Sequence, residues 1–224
     1  ATDEVKADLA NSAAMLEKLG ARIEPFKMPQ SFESCTRATG VIIASEGYAN
    51  WRARIDHPEP GMADPIRSRF LGGKTITAPD YLDVMRAREK SIDTFLAAMD
   101  RLDALILPTI PFPAMPVAEV DENQSPMAHF TRWGNLLALC GLAVPTALSK
   151  DKLPMSLQII VRRFDDALAL RIGRAFEKAR GAFPHHRFPR TERGDLLPEG
   201  GARPGAGVLG QPEVAGRQIE EGAA

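Results

Sequence analysis

Between residues 103 and 116 an uninterrupted apolar run, Ala104-Leu-Ile-Leu107, meets proline at 108, 111, 113 and 116. Four consecutive apolar residues with β-branched content suit a strand buried on both faces. Proline has no N–H for a ladder and a fixed φ, so the strand stops at Pro108 and an irregular loop follows. A doubly buried strand needs helices on both sides, and helical patterns flank this run. Val5, Leu9, Ala13, Leu16 and Leu19 stripe one face of a first helix, and Gly20 sits where a left-handed residue ends it. Ile23 and Phe26 then alternate with polar neighbours and predict a short strand over 21–26. Ser31 caps a second helix that carries Phe32, Cys35, Ile42 and Trp51, with Gly40 inside it.

Thr77-Ala-Pro-Asp80 combines an N-cap, a first-turn proline and an acid three residues on, which predicts a long helix through Leu82, Met85, Ile92, Phe95 and Met99. A shorter helix is expected over 126–139, with Cys140 at its end. Apolar runs at 142–148 and 155–161 read as strands joined by a turn, and a last helix follows Asp165 and Asp166. This is the pattern of an α/β layered fold. After Arg190 the composition changes: residues 191–224 contain no aromatic side chain, eight glycines and three prolines. Such a segment buries too little apolar surface to offset its ordering entropy. The expected organisation is a globular part over 1–190 and a disordered tail over 191–224.

Composition narrows the function. With 28 Lys+Arg against 29 Asp+Glu, the chain has no excess charge to drive binding to nucleic acid or an anionic membrane. No apolar stretch is long enough to span a bilayer. Two cysteines, Cys35 and Cys140, cannot build a disulfide framework, which points to a reducing, cytoplasmic compartment. The chain begins at Ala1 and enters a helical pattern at once, as a piece of something longer would.

A search for chemistry returns little. There is no G-x-S-x-G elbow, no Walker-A loop and no G-x-G-x-x-G fingerprint. Gly72-Gly73-Lys74-Thr75 reads as a turn, because the upstream glycine of a phosphate loop would fall at Arg67. The four histidines lack metal-ligand spacing, so no metal site is expected. Cys140 reads as a small buried hydrophobe, since nothing nearby offers a base or an oxyanion hole. Arg67 and Arg69 flank Ser68 and could hold a substrate carboxylate or carbonyl, or simply form a solvated face.

Four segments, in order, resemble the carboxyl-terminal part of the amidase signature family. They are LEKLGARIEPFKMP within residues 5–29, IRSRFLGGKTITAPDYLDVMRAREK at 66–90, LDALILPTIPFPAMP at 102–116, and FTRWGNLLALCGLAVPTAL with LPMSLQIIVRRFDDALALRIGRAFEKA within 130–179. The resemblance implies a mixed sheet flanked by helices and a serine hydrolase of carboxamide C–N bonds that needs no cofactor. Its family mechanism uses two serines and a lysine, because a poor electrophile such as an amide needs both a preorganised attacker and oxyanion donors. Neither GSS nor GGS occurs in this chain, nor any Gly/Ser-rich loop, so no catalytic residue is assigned. What the resemblance leaves is substrate-pocket wall: Phe130, Thr131, Asn135 and Gly141, with Gln158 and the Arg67/Arg69 pair as further candidates. Asn135 and Gln158 can each donate and accept, which suits amide recognition or the tying of loops.

Trp133 stands where the family often has proline, and GLAVP inserts one residue relative to its usual G-x-P. Ala128 stands where tRNA-dependent amidotransferase A subunits place an aspartate, which favours a general amidase. The expected substrate is a small amide, acted on when this chain is joined to the missing half. The competing expectations are a non-catalytic binding or subunit protein that reuses half of the fold, and a fragment of an amidotransferase A-type subunit. A sheet cut between halves leaves an open edge, so partnering or a homo-oligomer is expected.

Overall fold

The computed structural model describes residues 1–57, 62–121 and 126–184; the expected tail over 191–224 lies outside the described residues. Ala1–Phe183 forms one compact unit. Six α-helices and three strands are described within it: α1 Asp3–Lys18, α2 Phe32–Asp56, α3 Asp64–Leu71, α4 Ala78–Ala98, β1 Leu105–Pro108, α5 Arg132–Leu136, β2 Cys140–Leu148, β3 Pro154–Val161 and α6 Asp166–Arg180.

The helix starts follow from local chemistry. Thr2 Oγ1 accepts the Val5 N–H at 3.4 Å, and Ser31 Oγ accepts the Ser34 N–H at 3.1 Å. At α4 a reciprocal pair forms: Thr77 Oγ1 accepts from the Asp80 N–H, and Asp80 Oδ2 accepts from the Thr77 N–H. Gly20 follows α1 at φ +94°, a left-handed geometry open to glycine without steric cost. α2 runs through Gly40 without a break.

β3 is the centre of a three-stranded sheet of order β1-β3-β2, and both pairings are antiparallel. Its apolar run suits the position: Leu157 through Val161 are all buried, with packed side chains on both faces of the strand. Alternate residues serve different cores. Leu157, Ile159 and Val161 pack with Leu16, Val144, Ala169 and Phe176, on the side covered by α1 and α6. Ile160 packs with Cys35, Phe95, Met99, Leu105, Trp133, Leu136 and Leu137, on the side covered by α2, α4 and α5. Gly173 lets α6 approach closely, since a Cβ there would lie 2.6 Å from Leu142 Cδ2. The β2–β3 turn is held by Ser149 Oγ, which accepts from the N–H groups of Asp151 and Leu153. Arg162 Nη2 donates to the Met99 carbonyl at 2.6 Å and so fastens the end of β3 to the end of α4.

Two expectations are corrected. Residues 21–28 form no strand: Ile23 packs toward the α1/α6 core, while Phe26 and Met28 pack toward the other. Phe26 meets Phe95 edge-on at 5.7 Å. The alternation marked which side chains turn inward, and they are half-buried by side-chain docking without ladder pairing. The helix expected over 126–139 is broken into a 3-10 turn, Pro126–Ala128, and the five-residue α5. Ala138 at φ +54° turns the chain, and Cys140 becomes the first residue of β2.

α1 is fastened to β2 by a buried polar pair: Thr146 Oγ1 donates to Asp8 Oδ2 at 2.6 Å, and Asp8 is 8% exposed. Burial raises the Asp8 pKa, the Thr146 hydroxyl opposes that rise, and the Glu4 charge adds to it. The folded pKa therefore exceeds the unfolded one. The contribution of Asp8 to stability is fully present below the unfolded pKa and is lost as pH rises through the folded pKa. Asp8→Asn keeps a carbonyl to accept from Thr146 and removes the buried charge. The expected result is a variant more stable than wild type at pH 7, with the gap closing toward pH 4, measured as urea midpoints at both pH values. A variant less stable than wild type at pH 7 would contradict this reading.

Candidate functional site

Five of the seven expected wall residues gather where α5 meets the α2/α4/α5 face of the sheet. Gln158 lies on β3 between Leu107 of β1 and Ala143 of β2, and it is 6% exposed. Its Nε2 donates to the Phe130 carbonyl at 3.1 Å. The loop carrying Phe130 and Thr131 is thereby tied to the central strand. Thr131 closes the turn onto the Ala128 carbonyl through both its N–H and its Oγ1, at 3.2 and 3.4 Å. Asn135 follows one helical turn later and is exposed, with its N–H toward the Thr131 carbonyl at 3.5 Å.

Gly141 enters through Ile160. A Cβ on Gly141 would lie 3.1 Å from Ile160 Cδ1, and one on Gly134 would lie 3.8 Å from the same atom. The Ile160 side chain thus reaches both β2 and α5, and the two glycines leave room for it. An aromatic group backs the site. Phe32 at the start of α2 contacts Phe130 edge-on at 5.7 Å, His129 at 5.0 Å and Trp133 at 6.4 Å, and Trp133 meets Phe95 at 5.4 Å. Sequence reasoning passed over Phe32 and Ile160. Their positions in an apolar helix face and an apolar strand marked them as core, and contacts from Phe32 to Phe130 or from Ile160 to Gly134 and Gly141 lie too far along the chain to leave a local signal.

Arg67 is elsewhere. Its Nε donates to the Ile55 carbonyl at 3.0 Å, near the far end of α2 from Phe32. At 1.5 Å of rise per residue, Phe32 and Ile55 are separated by roughly 35 Å along the helix. The guanidinium ties α3 to α2, and Arg67 is not brought to Gln158. Arg69 is exposed on the same short helix. Gly72–Thr75 is a 3-10 turn in which Gly73 is buried against α2, so it holds no open phosphate cradle.

Electrostatics argue against Cys140 as a nucleophile. Cys140 Sγ donates to Asp166 Oδ1 at 3.2 Å, and burial together with the Asp166 carboxylate pushes the thiol pKa up to about 11. It remains a thiol at neutral pH and is a poor attacker. Among the described residues no three His, Cys, Asp or Glu side chains gather as metal ligands would, and no helix is long and apolar enough to cross a membrane. The arrangement can present a wall: an ordered loop, an exposed asparagine and small residues along β2.

Three comparisons bear on this wall. The family model described as Amidase matches residues 1–170. The A-type subunit of glutamyl-tRNA(Gln) amidotransferase from Acidobacterium capsulatum is 28% identical over 202 residues, covering 78% of this chain and 42% of that protein. An amidase of Pseudomonas putida is 28% identical over 185 residues, covering 79% of this chain and 39% of that protein. A crystal structure of an amidase superposes with a TM-score of 0.71 at 26% identity, covering 80% of this chain and 42% of that one. The chain thus spans about two fifths of the length of the relatives it matches.

Proposed function

The chain belongs to the amidase family, and we propose that it is the carboxyl-terminal part of a hydrolase of carboxamide C–N bonds, contributing substrate-pocket wall to a site whose nucleophile lies on polypeptide outside it. The observation that supports this reading is the tie between Gln158 of the central strand and the loop carrying Phe130 and Thr131, beside Asn135 and Gly141, on the α2/α4/α5 side of the sheet and within a segment matched by the family model. The sequence supplies no Gly/Ser-rich loop, and the one thiol at the wall is held protonated. Ala128 in the loop favours a general amidase acting on a small amide over a tRNA-dependent amidotransferase. No metal or cofactor enters the proposal.

The test is hydrolysis of a panel of aryl and aliphatic amides. This chain alone is expected to turn over none of them. Coexpressed with the portion of the Pseudomonas putida amidase that lies outside the match, it is expected to hydrolyse at least one, with loss on treatment with a serine-directed inhibitor. Inhibitor-sensitive turnover by this chain alone would overturn the assignment, as would failure of the coexpressed pair.

A further inference from the structure

Five arginines among the described residues are half-buried: Arg67, Arg88, Arg132, Arg162 and Arg180. A guanidinium is always charged and carries only donors, so one that is partly withdrawn from water needs acceptors. Four of the five have them. Arg67 donates to the Ile55 carbonyl, Arg88 meets Glu89, Arg162 donates to the Met99 carbonyl, and Arg180 meets the Pro145 carbonyl and Glu177. The Arg132 guanidinium has no hydrogen-bond or ion-pair partner among the described residues.

Arg132 opens α5, and that helix is two-sided. Trp133, Gly134 and Leu136 are buried, and so is Leu137 just beyond, whereas Arg132 is half-buried and Asn135 exposed. Residues three apart lie on one face of a helix, with Cβ atoms roughly 5–6 Å apart. The guanidinium and the Asn135 carboxamide therefore share the outward turn, and the carboxamide also lacks a partner among the described residues. The turn is held on both sides. The Phe130–Thr131 loop before it is tied to β3 through Gln158, and Gly134 within it lies over Ile160, which also reaches Gly141. A carboxylate satisfies a guanidinium best, because it accepts two parallel N–H bonds. A carboxamide suits another amide, since each donates and accepts.

We infer that Arg132 is a specificity-determining residue of the candidate wall and that the site takes amides bearing a carboxylate, with the Arg132 guanidinium holding the carboxylate and Asn135 pairing with the amide. The inference rests on the functional reading above and names the substrate class of that same site. Arg67, one of the cations first expected to hold a substrate carboxylate, is bound to α2 instead. Discrimination has two sources. An anionic amide gains charge-assisted bonds, and a neutral one leaves a half-buried cation short of acceptors.

The probes are succinamate, which ends in a carboxylate, and butyramide, an amide of the same chain length ending in a methyl group. Binding to the full, isotope-labelled chain is followed by NMR titration. Succinamate is expected to bind about tenfold more tightly than butyramide, the effect of a charge-assisted contact at a partly exposed site, with the shifts centred on 130–135. Arg132→Gln keeps a polar side chain at an outward position, so its circular dichroism should match wild type while the two probes bind alike. Arg132→Lys keeps the charge without the planar fork and should retain part of the preference. Equal affinity of the wild-type chain for the two amides, or no binding of either, would overturn the proposal without recourse to any variant. A preference that survives Arg132→Gln would overturn it too. Hydrolysis by the coexpressed pair is scored apart. A charge preference in binding without any hydrolysis sinks the functional reading and leaves the Arg132 site standing, and hydrolysis by the pair with no such preference does the reverse.

Discussion

Trp133→Ala is expected to lower the free energy of unfolding by about 3–5 kcal/mol, the range for truncating a large buried aromatic. Trp133 is 1% exposed and joins Phe32 of α2 to Phe95 of α4 from a helix of only five residues. α5 has almost no intrinsic stability at that length, since helix nucleation is unfavourable and short helices depend on packing. Removing the indole therefore removes what holds α5 down, and with it the loop that Gln158 grips through the Phe130 carbonyl. A domain of ordinary stability keeps only a small margin after such a loss. The measurement is a urea transition at 25 °C, with hydrogen exchange at 130–137 as the local readout. Trp133→Phe is the control. The indole Nε1 is buried with no hydrogen-bond partner among the described residues, so phenylalanine removes an unsatisfied donor along with one ring and should cost far less. Equal costs for the two variants would show that packing of this ring does not support α5.

Gly73→Ala is expected to cost about 3 kcal/mol, the upper part of the range for overpacking. A Cβ at Gly73 would lie 2.0 Å from the Ala44 carbonyl oxygen and 2.9 Å from Tyr48 Cβ. The nearest obstacle is α2 backbone, which cannot rotate away as a side chain can, so the 3-10 turn and α2 must separate. Gly72 is the internal control, because a Cβ there would meet nothing within 4 Å. Gly72→Ala should leave the urea midpoint nearly unchanged. Similar midpoints for the two variants would contradict the close approach.

The contrast between these glycines shows what a sequence can carry. Gly72-Gly73-Lys74-Thr75 was legible as a turn before a capped helix, and it is one. Which glycine is indispensable was not legible, because the obstacle is a carbonyl 29 residues away on another helix. The same division runs through the candidate site. Phe130, Thr131, Asn135, Gly141 and Gln158 could be named from motif order, and Gln158 is tied to the loop that carries Phe130 and Thr131. The role of Gln158 as a tie to the Phe130 carbonyl is set only by the fold, since an amide side chain is equally suited to binding substrate. Arg67 fails to join them for a related reason: adjacency to a loop says nothing about which end of a 25-residue helix that loop will meet.

Local chemistry by itself determined the helix starts at Ser31 and Thr77, the stop at Pro108 and the apolar run of β3, because each depends on residues within a few positions of one another. The family could also be read from the order of four segments. Only the tertiary structure decided that residues 21–28 dock without pairing and that α5 is a short helix held by an aromatic cluster. Those outcomes depend on which distant surface competes for each backbone and side chain, and that competition is settled when the layers pack.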